Sequence, residues 1–279
     1  MIRKLFMVFV WVVLAGCSRP ILLSDCIQCT LISCLPYSFA TRAANPDDLK
    51  ITDCNILVYN AFGDLEERVF LPARSLQVDD GELRYRLQLL QDVPYTIVCA
   101  YNFGFALPAM TLAEARSYRY YMAYPDEYSR GLPMVAVRDA VMPGDTLQLQ
   151  MRRLMARVDL QVDRSGLPAD AFLKITDVEV TGCPCSATLF PGSRVEETFR
   201  QGFLHHNREV QPLNRSEEDG ISETVSLYIL ENLGEGTGVE IRAEYHSDME
   251  DTGPGERRRF HLDLPPLERN GVYPVIASF

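Results

Sequence analysis

Eight cysteines and four histidines are the residues of this 279-residue chain best suited to chemistry. Two close cysteine pairs, Cys26-x-x-Cys29 and Cys183-x-Cys185, raise the thought of a zinc site. The second pair has the wrong spacing, and no histidine lies close to either, so no metal is expected. His205 and His206 fall in a loop-like stretch, Gly202 to Arg208, with no acid in a motif around them. His246 and His261 fall on the polar side of strand patterns. No serine stands in a Gly-x-Ser-x-Gly elbow, and no phosphate loop or dinucleotide fingerprint occurs. Asp248 to Gly253 has a faint calcium-loop look, but Arg259 stands where the bidentate glutamate belongs, so a solvated turn is expected. These residues give no catalytic set and no cofactor site, and the chain is not expected to be an enzyme. Cys54 and Cys99 lie inside apolar strand patterns and read as buried free thiols.

The N-terminus carries a different chemistry. Arg3 and Lys4 precede an apolar run from Leu5 to Leu14. The run is shorter than the ~20 residues that a spanning helix needs, and it fits the apolar part of a secretory signal. Leu14-Ala15-Gly16-Cys17 then matches the bacterial lipobox. That resemblance implies a signal peptide over 1–16, cleavage between Gly16 and Cys17, and acylation of the Cys17 thiol and amine. Acyl chains bury ~0.8 kcal/mol per CH₂, enough for stable anchoring in the outer membrane without a helix. The net charge of −11 argues against a nucleic-acid partner, which needs a basic face. An apolar share of 47% supplies a substantial core and argues against global disorder.

The elements that would position any site are strands. Leu147, Leu149 and Met151 are apolar at odd positions, whereas Val158, Leu160 and Val162 are apolar at even ones. One strand in one register cannot bury both sets. The chain must bulge, bend or change sheets near Arg152 to Ala156, which reads as a seam between two β domains. Leu49 to Phe62 is nearly continuously apolar, the mark of a strand buried on both faces. Leu83 to Leu89, Tyr95 to Tyr101, Phe172 to Thr181, Val225 to Leu230, Val239 to Tyr245, Arg258 to Leu264 and Val272 to Phe279 are further strands. Pro274 demotes the last one to an edge. Thr111 with Glu114 three residues on predicts one short helix. The tyrosines at 118, 120, 121, 124 and 128 are expected to pack over a sheet edge. Strands at this spacing, with few helices between them, make an all-β protein of the sandwich type.

Taken in order, several stretches resemble the fimbrillin family of the Bacteroidales fimbrial subunits. They are Thr41-Arg42-Ala43 before an acidic loop, Asn55 to Leu65, Tyr95 to Asn102, Gly131-Leu132-Pro133-Met134, Leu154 to Leu160, and Leu227 to Leu233 with its Tyr-x-x-Glu-Asn end. The resemblance implies two transthyretin-like β-sandwich domains in tandem. Their bounds would be a tether and first-strand region over 17–48, an N-terminal domain over 49–153 and a C-terminal domain over 154–279. It also implies a mechanism: an arginine-specific protease cuts between Arg42 and Ala43, the first strand leaves, and a strand of a neighbouring subunit fills the groove. The strand to be released is expected over Thr30 to Phe39, with Leu31, Ile32, Leu35 and Phe39 apolar. Partners would be other fimbrial subunits, and a ligand on a host or bacterial surface. The chain ends at Phe279, directly after its last strand, which points to a tip or accessory member. The alternatives are an uncleaved lipoprotein that anchors the fimbrium, and a solitary glycan-binding lipoprotein using the tyrosine cluster.

Overall fold

The computed structural model describes residues 26–36, 50–79, 81–123, 131–194, 197–199, 203–206 (backbone only), 210–215, 220–248 and 253–279. The chain is mainly strand, with one α-helix among the described residues. In chain order the first half contains β1 (Cys26–Cys34), β2 (Asp53–Tyr59), β3 (Leu65–Pro72), β4 (Val78–Asp79), β5 (Glu82–Leu90) and β6 (Tyr95–Tyr101). Helix α1 (Leu112–Ser117), β7 (Arg119–Tyr121), β8 (Met134–Val141), β9 (Thr146–Gln150) and β10 (Arg152–Arg153) complete it. The second half contains β11 (Met155–Asp163), β12 (Phe172–Thr181), β13 (Ser186–Thr188), β14 (Phe203–His206), β15 (Val225–Leu230), β16 (Gly238–His246), β17 (Glu256–Asp263) and β18 (Val272–Ser278).

Each half is a pair of facing sheets with one shared plan. In the first half the sheets run β4-β5-β1-β9 and β10-β8-β6-β2-β3. In the second they run β15-β11-β18 and β14-β12-β16-β17. The opening strand of each half lies between a parallel neighbour, the last long strand of that half, and an antiparallel one from its middle. This is the expected pair of transthyretin-like sandwiches. The short helix also stands where it was expected. The Thr111 hydroxyl accepts from the Glu114 N–H at 3.3 Å, and the Glu114 carboxylate accepts from the Thr111 N–H at 2.7 Å, closing a capping box.

The phase change between Met151 and Val158 is a change of sheet. β9 belongs to the first sheet and buries Leu147 and Leu149. β10 then crosses to the facing sheet, and β11 enters the second half with Ala156, Val158, Leu160 and Val162 buried. The connecting residues are tied to both sides. The Leu154 N–H donates to the Pro133 carbonyl, and its own carbonyl accepts from the Glu231 N–H, both at 2.8 Å.

Strands β2 and β6 are buried at every position. Cys54, Ile56 and Val58 face the sandwich interior, together with Ile97, Cys99 and Tyr101. Leu57, Tyr59, Val98 and Ala100 face the other way, into a core shared with Leu154, Leu189, Phe190, Tyr228 and Leu230 of the second half. The nearly continuous apolar run therefore has two cores to fill, as a doubly buried strand requires. Pro274 does lie on an edge strand: β18 pairs with β11 and forms the end of its sheet.

Two expectations need correction. His205 and His206 are not in a loop, since the backbone of β14 pairs with Asp177 to Val180 of β12. A ladder partner far away in sequence decides this, and local composition carries no trace of it. The first strand was also misplaced, for a reason that belongs to the site itself.

Candidate functional site: the first strand and its groove

β1 runs from Cys26 to Cys34, not from Thr30 to Phe39. All nine of its residues are in register with β5, from Cys26 opposite Leu90 to Cys34 opposite Glu82. Thr30 to Cys34 also pair in parallel with Thr146 to Gln150 of β9. The strand thus carries a ladder on both edges. Beyond its end the Leu35 N–H donates to the Gly81 carbonyl at 3.0 Å, and the Gln150 side-chain amide donates to the Leu35 carbonyl at 2.8 Å. Phe39 lies outside the described residues.

Side chains alternate along a strand, so Leu31 and Ile32 cannot both point inward. The register puts Cys29, Leu31 and Ser33 inside, each 1% exposed or less, with Ile32 on the outer face and Leu35 against the rim of the core. Two of the three inward side chains are therefore not hydrocarbon. The Ser33 hydroxyl makes a short hydrogen bond with the Tyr101 hydroxyl on β6. Burial pushes the Cys29 thiol up and the Tyr101 phenol up further, the neighbouring Cys99 and Cys54 adding to the effect. The whole contact is neutral at ordinary pH.

If β1 were absent, the first sheet would be split between β5 and β9. Leu83, Leu87, Leu147 and Leu149 would border an open groove floored by Ile97, Cys99 and Tyr101. Uncovering a large apolar side chain costs ~1.5–3 kcal/mol. Such a groove would favour a replacement strand with small or apolar residues at alternate positions, matching the pockets of Cys29, Leu31 and Ser33. A cleft of about 540 Å³ is lined by Cys34, Arg138 and Thr146 to Gln150.

The other sequence expectations fall as follows. Gly16, Cys17, Arg42 and Ala43 lie outside the described residues, as do Tyr124 and Tyr128. Tyr118 and Tyr120 pack into the shared core, Tyr120 against Phe103 with ring centroids 4.6 Å apart, whereas Tyr121 is exposed. β7 pairs with β13 of the second half, so this cluster joins the two halves. Cys29 and Cys183 belong to different cores, so the two close cysteine pairs do not meet. Arg259 is engaged with Glu240 at 3.4 Å. A cleft of about 660 Å³ lies over Arg242 and Arg257 to Arg259, but Arg242, Arg258 and Arg259 are already paired with Glu179, Glu240 and Glu256.

Sequence reasoning missed what the Glu-Asn end of β15 does. Glu231 is buried against Arg269 at 2.6 Å and accepts the Gly192 and Ser193 N–H groups. Burial pushes its carboxyl up, but the Arg269 guanidinium and those N–H groups outweigh it and hold the carboxyl below its ordinary range. Arg269 also donates to the carbonyls of Thr188, Leu189 and Phe190. The pair thereby fastens the segment that carries Ala187, Leu189 and Phe190 into the shared core. The visible signal was an acid directly after the apolar run Leu227 to Leu230, with no partner nearby in sequence.

No protein-family model and no curated protein sequence matches the chain. Solved structures do match it. A fimbrial assembly protein from Parabacteroides distasonis is 14% identical with a TM-score of 0.55, over 90% of each chain. The C-terminally truncated tip fimbrial protein Mfa3 from Porphyromonas gingivalis is 10% identical with a TM-score of 0.57, over 90% of this chain and 94% of that one. A fimbrilin from Porphyromonas gingivalis is 14% identical with a TM-score of 0.54, over 84% and 80%. At such identities the likeness is one of fold, and it extends across both sandwiches.

Proposed function

We propose that this chain is a structural subunit of a cell-surface fimbrium, exported as a lipoprotein and assembled by strand exchange at the β1 groove. The observation that carries the reading is the place of β1. It is a central strand, laddered on both edges, supplied by the extreme N-terminal side of the described chain and joined to β2 only through residues 35–52. Arg42 lies in that connection. A cut between Arg42 and Ala43 would free β1 without touching another strand of the sandwich. A strand from a second subunit could then take both ladders at once. Cys17, nine residues before β1, would hold the precursor at the outer membrane until the cut is made.

Mass spectrometry of the N-terminus tests this, on protein from sheared surface filaments and from outer membranes. A chain beginning at Ala43 in filaments is expected. A chain found only in membranes, beginning at acylated Cys17, would overturn the exchange step and leave a membrane-held lipoprotein.

A further inference from the structure

Beneath β1 lies a pair of thiols that the strand-exchange scheme does not use. The Cys54 and Cys99 sulfurs are 3.7 Å apart, on neighbouring strands β2 and β6, and both residues are 0% exposed. Tyr101, the residue that Ser33 of β1 engages, lies on the same face of β6, and its phenol is pushed up by burial and by both neighbouring thiols, Cys99 being a hydrogen-bond partner. A polar chain therefore runs from the outgoing strand through Ser33 and Tyr101 to Cys99 and Cys54. From these contacts we infer that Cys54 and Cys99 are an oxidation site sealed by β1: a dithiol while the strand is docked, and an intrachain disulfide once it has left. The inference rests on the strand-exchange reading above.

Geometry and reactivity both point this way. In the ladder Cys54 opposes Tyr101 and Cys99 opposes Ile56, so the two cysteines are diagonal neighbours. Diagonal positions are ~7–8 Å apart between Cα atoms, and a disulfide needs Cα atoms closer than ~7 Å and sulfurs at about 2.05 Å. The two strands must therefore shift before the bond can close. With Ser33 bonded to Tyr101 and Leu31 packed in the same core, the docked strand resists that shift. Burial in the sandwich core, of which β1 is one wall, also keeps oxidants away and, with Cys99 and Asp53, holds the Cys54 thiol up, against the thiolate that must attack. Removing β1 lifts all three restraints.

The oxidant is a disulfide of low molecular weight. One thiol loses its proton and attacks that disulfide, forming a mixed disulfide and expelling one thiolate. The second thiolate then displaces the other half. Two protein thiols and one disulfide thus become one protein disulfide and two thiols, and the two electrons end on the oxidant. The product would tie β2 to β6 across the floor of the groove.

The test uses the full chain with oxidised glutathione, before and after arginine-specific cleavage, followed by alkylation and peptide mass spectrometry without reductant. Cys183 and Cys185 serve as internal controls. In the intact chain both Cys54 and Cys99 should be recovered alkylated after denaturation. In the cleaved chain that has lost its β1 fragment, the peptides carrying them should be joined and lighter by two hydrogens. A fragment that stays bound after cleavage speaks against strand exchange. The Leu31→Asp chain, in which β1 cannot be buried, then decides the thiol pair alone. A linked pair in the intact chain, or two free thiols in a chain whose β1 amides exchange freely, overturns the inference.

Discussion

β1 and β11 hold the same place in the two halves of the molecule, yet they differ in how they are held. Each opens its sandwich between an antiparallel neighbour and a parallel one. β11 points Ala156, Val158, Leu160 and Val162 inward and follows β10 after a single residue. β1 points Cys29, Leu31 and Ser33 inward and joins the rest of its half through a long connection. A buried leucine or valine contributes ~1.5–3 kcal/mol, and Ser33 replaces that contribution with hydroxyl contacts to Tyr101 and the Leu83 carbonyl. Topology alone therefore does not tell the two strands apart. Inward chemistry and the length of the connection do.

The sharpest way to break the comparison is an acid at matched positions. Leu160→Asp puts a carboxylate into the second core and should cost more than about 4 kcal/mol, with no cooperative unfolding transition left by circular dichroism. Leu31→Asp should instead release β1 alone. Its amides should lose hydrogen-exchange protection while those of β11 keep theirs. Loss of protection throughout the chain would mean that β1 is as integral as β11.

Glu231→Ala comes next, since it strands Arg269 at 3% exposure and should cost about 3–5 kcal/mol in denaturant unfolding. The same pair predicts a pH dependence. The Glu231 carboxyl is depressed in the folded chain, so its contribution is present above the unfolded value of about 4.3 and is lost as pH falls through the lower folded one. The acid limb of a stability profile should flatten in Glu231→Gln, and an unchanged limb would exclude this group as its source.

Leu31→Ala should cost about 2 kcal/mol, read as faster exchange of β1 amides rather than as a large fall in the global midpoint. The smallest effect is expected for Thr111→Ala, about 1 kcal/mol from the lost cap. It should fray α1 in hydrogen exchange and leave β1 and β11 alike untouched.

Much of this architecture was legible beforehand, where neighbours along the chain decide. The doubly buried β2 came from its nearly continuous apolar run, the capping box from Thr111 and Glu114, and the edge position of β18 from Pro274. The phase change between Met151 and Val158 marked a break in the strand, because one strand in one register cannot bury both sets, and the fold resolves it as a change of sheet. What failed was what depends on a distant partner. His205 and His206 became strand only through β12, and Glu231 needed Arg269, 38 residues on. The phase of β1 was undecided too, since Leu31 and Ile32 are both apolar, and only pairing with β5 chose which one is buried. Periodicity is a property of the local backbone and can be read from the sequence. The partner across a sheet is set by long-range packing, so the face that β1 offers, and the thiols it covers, were decided only in the folded chain.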